Sequence, residues 1–250
     1  MFLGDEQQEA YSTPQLSPLY PQGPYEYPDV RALLVTYELD HELARDLVPD
    51  PLDLRESPTC VLGVYEYGHV NGFGGYEEFL VGIAASHEGD PVTYTPYCIL
   101  DGDAPLAAGR EVWGLPKKTG EVTLDTDGAV ATGRVARGGV DLATVTVETT
   151  DPTDRHPFTG STLRNVHWKR IPSAAPDEPP AVNRLVASLT HEIDVEWAHR
   201  GTGDVELSRS AADPVAVFEP TGEVSGYLLE CSWVLERAAD PVIHRFEEGR

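Results

Sequence analysis

Lysine is nearly missing from this chain. Only Lys117, Lys118 and Lys169 are lysine among 250 residues, and lysine and arginine together number 18 against 42 aspartates and glutamates. The resulting net charge of −24 argues against a nucleic-acid partner, because binding a polyphosphate rests on cationic contacts. An acidic, lysine-poor surface also suits concentrated salt, which screens the repulsion among carboxylates, and predicts an extreme halophile. Cysteine is scarce as well. Cys60, Cys98 and Cys231 are odd in number and lack a CxxC spacing, and each lies in an apolar, strand-like run. Buried free thiols are predicted, with no disulfide framework and no zinc or other metal site, as fits a reducing cytoplasm. No apolar run long enough for a membrane helix is present, and no signal-peptide pattern follows Met1, so the reading is a cytoplasmic protein with no membrane partner.

What is there reads mostly as strand. Residues 1–28 are rich in proline and tyrosine (Ser12-Thr13-Pro14, Ser17-Pro18, Tyr20-Pro21, Gly23-Pro24-Tyr25) and predict an extended arm docked on a body. A strand is expected at Arg31–Tyr37, then a short helix capped by Asp40, containing Leu43 and Leu47 and stopped by Pro49 and Pro51. Further strands are predicted at Cys60–Tyr67, Phe79–Ala85 and Val92–Leu100, and on both sides of the Asp127-Gly128 hairpin signal. Others follow at Val140–Thr149, Leu163–Ile171, Leu185–His199 and Gly226–Leu235. Gly138-Gly139 and Gly201-Thr202-Gly203 read as tight turns. The proline-rich stretch at Pro172–Pro180 reads as a surface loop, and no repeat or linker divides the chain. A single domain over residues 1–250 is expected.

Two of the three lysines are adjacent, directly after Val112-Trp113-Gly114-Leu115-Pro116. Arginine can replace lysine in most solvated roles but not as a nucleophile, because it stays protonated, whereas a lysine amine can attack a carbonyl carbon and form an imine. For half of the amine to be neutral at pH 7, its pKa must fall from ~10.4 to about 7, equivalent to ~4.6 kcal/mol. A like charge ~4 Å away supplies only ~1 kcal/mol in water but ~4 kcal/mol at an effective dielectric near 20. The expectation is that Lys117 lies in a dry pocket built by Trp113, Leu115 and Pro116, with burial and the Lys118 charge both lowering its pKa.

The run from Gly109 to Gly120 (Gly-Arg-Glu-Val-Trp-Gly-Leu-Pro-Lys-Lys-Thr-Gly) resembles the active-site segment of the acetoacetate decarboxylase family. Matches in the same order include Ser12-Thr13-Pro14 through Gly23-Pro24-Tyr25, Val48-Pro49-Asp50-Pro51-Leu52, Gly72-Phe73-Gly74-Gly75-Tyr76-Glu77-Glu78, and Leu100-Asp101 before Ala104-Pro105. The resemblance implies an α+β fold, predominantly antiparallel β, with a barrel or cone body and a few short helices. It implies that Lys117 forms the imine, that Lys118 lowers its pKa, and that Glu78 lines the pocket as a third catalytic residue, positioning substrate or handling protons. A small keto-acid substrate, no cofactor and a homo-oligomer follow from the same likeness.

Two positions depart from the family. Val30 stands where the decarboxylases carry an arginine near the substrate carboxylate. Its neighbour Arg31 is the candidate to bind the substrate carboxylate; since it points to the opposite side of a regular strand, a bulge or register shift is needed to aim it into the pocket. Gly63 stands where a second pocket glutamate is expected, and Glu66 has the wrong parity to replace it. Related proteins with the lysine pair condense pyruvate with aldehydes, so a Schiff-base aldolase-dehydratase is the alternative, and a non-catalytic β protein holding a small ligand is a third reading. The set His191, Glu192, Asp194, Glu196 and His199 places its acids on one strand face, away from the histidines, and reads as a solvated surface. The glycines at 72, 74 and 75 read as a turn rather than a dinucleotide site.

Overall fold

Every predicted run of β-branched and aromatic residues is a strand in a computed structural model, which describes residues 18–158, 160 and 162–246. The strands are β1 (Tyr25–Glu38), β2 (Thr59–Val70), β3 (Gly74–His87), β4 (Asp90–Leu100), β5 (Lys117–Thr119), β6 (Glu121–Asp127), β7 (Val130–Arg137), β8 (Val140–Pro152), β9 (Thr162–Ile171), β10 (Val182–Leu207) and β11 (Ser225–Arg245). Two short helices, α1 (His41–Leu47) and α2 (Asp103–Ala108), complete the main elements. α1 is the helix expected from sequence: the Asp40 side chain accepts from Leu43 N at 2.9 Å. α2 carried no recognised signal. Of the arm, the Ser12-Thr13-Pro14 portion lies outside the described residues, and the extended stretch ends early because β1 already begins at Tyr25.

Strands β11, β1, β2, β3, β4, β9 and β10 are neighbours in that order, and β10 pairs back onto β11, so they close into a cone-like ring. Closure leaves few exposed edges. Pairing is antiparallel except where β4 meets β9 and β5. The far half of β10 pairs with β8, and β8, β7 and β6 continue as a flap over the ring. The ring strands are therefore buried on both faces, and their residues sort by parity. Leu33, Val35, Leu62 and Val64 join Val135, Leu142, Val145 and Val147 in a core between flap and ring. Val30, Ala32, Leu34, Tyr65, Tyr67 and Tyr76 form a second core inside the ring.

The structure corrects one turn. Gly201-Thr202-Gly203 lies within β10 and does not reverse the chain. These glycines serve close approach of backbones: a Cβ at Gly201 would stand 1.9 Å from the Glu148 carbonyl oxygen, and one at Gly203 would stand 2.8 Å from Val35 and Val224. A strand-interior glycine has this second meaning. Gly201→Ala should accordingly push β8 from β10 and lower stability by about 1–3 kcal/mol, read as a reduced urea midpoint; an unchanged midpoint would show that the contact is not limiting.

Candidate active site

The site grows from the irregular backbone between α2 and β5. α2 runs into a π-helical turn, Gly109–Trp113, ended by Gly114 at φ 81°. The left-handed conformation favours glycine, and a Cβ at Gly114 would also stand 2.4 Å from Lys169 Cβ. Lys169 donates to the carbonyls of Glu111 and Val112, the latter at 3.2 Å, satisfying groups that a helix end leaves unpaired. The chain then returns: Leu115 N donates to Gly109 O at 3.0 Å, and Arg110 donates to Lys117 O at 2.9 Å. Gly109 has no side chain for a local reason, since its Cβ would lie 2.6 Å from Lys117 Cδ. The turn is thus shaped around the lysine.

Lys117 enters the interior of the ring, only 6 % exposed, on a strand that pairs with β4 through Cys98. Its Nζ lies 2.8 Å from Glu78 Oε2 and donates to Pro105 O at 3.3 Å. The ammonium also sits 5.8 Å from the Tyr76 ring centroid. Glu78, from β3, is equally buried. Burial is the largest single influence on the Lys117 pKa and pushes it down, but the charge and hydrogen bond of Glu78, with Cys98 and Tyr27 adding to them, together hold it above the ordinary lysine value. This reverses the expected direction. A like charge next in sequence and burial both lower the pKa; the structure adds an opposite charge in contact.

The pair faces a cavity of about 160 Å³ whose lining includes Tyr27, Tyr65, Tyr67, Tyr76, Phe158 and Trp233. Leu115 lines it as expected. Trp113 is buried in the interior core behind it and touches Tyr25 edge-on.

Lys118 is not part of this cavity. Successive residues on β5 face opposite ways, so Lys118 turns outward, 2.7 Å from Asp213 Oδ1 and 5.1 Å from the Tyr97 ring centroid. Asp213 also accepts from Tyr97 OH and Arg137, each at 2.8 Å. Burial alone would raise the Asp213 pKa, but hydrogen bonds from Lys118, Tyr97 and Arg137 lower it to about 2. The Lys118 charge is neutralised on the far side of the strand. The expected repulsion between neighbouring ammonium groups is absent from this geometry.

Arg31 stays outside too. β1 does bulge, but between Tyr27 and Val30, before the arginine. Val30 is buried toward the interior, and Arg31 pairs with Glu66 at 3.5 Å on the opposite face. At Gly63 the missing glutamate has a visible successor: a Cβ there would meet the Tyr65 ring at 2.4 Å. Tyr65 occupies the space a side chain at position 63 would need. The acids Glu192, Asp194 and Glu196 are exposed, although a bulge interrupts the register of β10 between His191 and Asp194. Among the described residues no three His, Cys, Asp or Glu side chains gather as metal ligands. All three cysteines are buried and free.

Sequence reasoning missed Asp213 and His167. Asp213 lies in a loop with no pattern to mark it. His167 was one residue in a strand run, and only its parity with Leu163 and Asn165 placed it on a shared face.

A family model described as acetoacetate decarboxylase matches residues 10–240. An acetoacetate decarboxylase of Burkholderia cenocepacia (strain HI2424) is 33% identical, over 85% of this chain and 86% of its own. Acetoacetate decarboxylase 2 of Mesorhizobium japonicum is 32% identical, over 95% and 90%. Among solved structures, the Legionella pneumophila acetoacetate decarboxylase superposes with TM-score 0.87 at 26% identity, covering 98% of this chain and 97% of that one. The enduracididine biosynthesis enzyme MppR, complexed with the condensation product of pyruvate and imidazole 4-carboxaldehyde, shares the fold at TM-score 0.74 and 22% identity, over 88% and 90%.

Two substitutions separate the charge networks. Glu78→Gln keeps the shape but removes the carboxylate, so burial, the largest influence on Lys117, dominates and its pKa falls. Acylation of Lys117 by a small neutral reagent, followed by mass spectrometry across pH, should then begin at lower pH than in the parent; superimposable profiles would refute the pairing. Asp213 has a depressed folded pKa, so its contribution is complete above pH ~4 and is lost as pH falls through about 2. Asp213→Ala should cost about 1–3 kcal/mol near neutrality and flatten the acid limb of the stability curve, measured by urea unfolding at several pH values.

Proposed function

Because the chain belongs to the acetoacetate decarboxylase family and is a carboxy-lyase, we propose that it decarboxylates acetoacetate or a close β-keto acid through an imine on Lys117. The observation that supports this most is the buried Lys117 amine, held 2.8 Å from Glu78 at the wall of an aromatic cavity.

The pair offers a route to a neutral nucleophile that needs no depressed lysine pKa. Two opposite charges buried together are poorly solvated, and moving one proton from Nζ to Glu78 converts them to a neutral amine and a carboxylic acid without changing the net charge. The amine then attacks the ketone carbon. Glu78 returns its proton to the carbinolamine oxygen, which leaves as water, and a protonated imine remains. The bond to the carboxylate breaks next, its electron pair passing to the iminium nitrogen as carbon dioxide departs. The enamine carbon takes up a proton, and water hydrolyses the new imine to release the ketone and restore the amine. The imine itself is the electron sink, and no separate cofactor is required by these steps.

Arg31 faces away from the cavity, so the substrate carboxylate meets aromatic rings rather than a guanidinium. A carboxylate desolvated in this way is relieved by leaving as neutral carbon dioxide. The same departures at Val30 and Gly63 favour a second reading, in which the enamine attacks an aldehyde and the enzyme is an aldolase-dehydratase. Cytoplasmic location, a homo-oligomer and adaptation to high salt belong to the proposal, the last supported by the net charge of −24.

Borohydride with acetoacetate should add the mass of the reduced adduct to Lys117 in the parent and not in Lys117→Arg, in buffer of molar salt. Release of carbon dioxide and acetone supports the decarboxylase. Adduct formation with pyruvate and an aldehyde, without gas, supports the aldolase-dehydratase, and failure to trap any keto acid would leave a binding protein. Glu78→Gln should lower kcat by roughly 10²–10⁴-fold.

A further inference from the structure

The cavity is polar at one end. The parallel contact between β4 and β9 places Tyr94 opposite Val166, so Thr95 and His167, one step on, lie side by side and both line the cavity. β10 brings Ser188 to the same wall, with its Oγ 3.1 Å from His167 Nε2. All three side chains are buried. Two of their polar atoms have no partner among the described residues: His167 Nδ1 and Thr95 Oγ1.

A buried polar atom without a partner is unusual and costly. Whichever way the Nε2 contact with Ser188 is polarised, Nδ1 is left over, as a donor in one tautomer and an acceptor in the other. Burial, reinforced by the Lys117 ammonium, lowers the His167 pKa to about 3. The imidazole is therefore neutral, and with Lys117 already matched by Glu78 this end of the cavity carries no charge to hold a second anion. An uncharged hydrogen-bonding group fits it.

We propose that His167 Nδ1 and Thr95 Oγ1, backed by Ser188, form a subsite for a hydroxyl or carbonyl carried by the substrate beyond its ketone. The inference rests on the imine reading of Lys117 and specifies its substrate class: a β-keto acid with a neutral polar group on the side away from the carboxylate. Acetoacetate, ending in a methyl group, leaves the subsite unused.

The test compares 5-hydroxy-3-oxopentanoate with 3-oxohexanoate, which have the same number of heavy atoms and differ in a terminal hydroxyl or methyl. The parent enzyme should favour the hydroxylated acid by roughly tenfold or more in kcat/KM, the scale set by pairing a buried polar atom. Thr95→Val, which preserves volume, and His167→Phe should each collapse the ratio. A ratio at or below one in the parent, or a ratio unchanged in both variants, overturns the subsite.

Binding is read independently from the ¹⁵N imidazole signals of His167 with 3,5-dihydroxypentanoate and 3-hydroxyhexanoate, neither of which can form an imine. A shift at Nδ1 with the dihydroxy acid alone supports the subsite even if no adduct ever forms on Lys117, in which case the imine readings of Lys117 fail and the subsite stands. Equal or absent shifts with both acids overturn the subsite even where acetoacetate is trapped on Lys117.

Discussion

An ammonium and a carboxylate 2.8 Å apart, both cut off from water, set the terms for the interior of this protein. Such a pair is a poor way to stabilise a fold, because desolvating both ions consumes much of what their attraction returns. It persists here because the surroundings are organised around it. Glu78 stands on β3 and Lys117 on β5, and β4 lies between them, pairing with Glu78 through Leu100 and with Lys117 through Cys98. One central strand therefore fixes the distance between the two groups. The Pro105 carbonyl and the Tyr76 ring add weaker partners for the ammonium, and bare backbone at Gly109 leaves room for the lysine stem.

The ring explains how such a pair is kept dry. Closure of β10 onto β11 puts residues of one parity inside, and on β2 and β3 those residues are largely tyrosines. Tyrosine suits the position: its ring supplies apolar area and its hydroxyl can find a partner, as Tyr27 and Tyr76 do at 3.1 Å. The flap covers the opposite parity with aliphatic side chains. Aliphatic core and aromatic cavity thus share the same strands, separated only by the pleat.

Alternation made most of this legible in the sequence. The β runs, the Asp40 cap and the turns at Asp127-Gly128 and Gly138-Gly139 carry local signals that the structure repeats. Strict parity puts Val30 inside and Arg31 outside, and the structure keeps it, so the expected contact of Arg31 with the substrate carboxylate is not made. What could not be read is whatever depends on distant partners. Glycine at 201 looks like a turn until β8 is laid against it. The charge state of Lys117 is decided by a residue 39 positions earlier, on a different strand. Lys118 looks like the neighbour that matters because it is next in sequence, but adjacency on a strand means opposite faces. Its actual partner, Asp213, lies in a loop.

The scarcity of lysine acquires a practical side once all three are located. Lys117 lies in the cavity, Lys118 braces the back of its strand against Asp213, and Lys169 caps the carbonyls of the π-helical turn that leads to it. The outer face correspondingly offers little to reagents that seek side-chain amines beyond the half-buried Lys118 and Lys169. Coupling the protein to a bead or dye by side-chain amines would therefore engage Lys118, immediately behind Lys117, or the turn that Lys169 braces. Immobilisation through carboxylates, which are abundant and mostly exposed, would leave the cavity untouched.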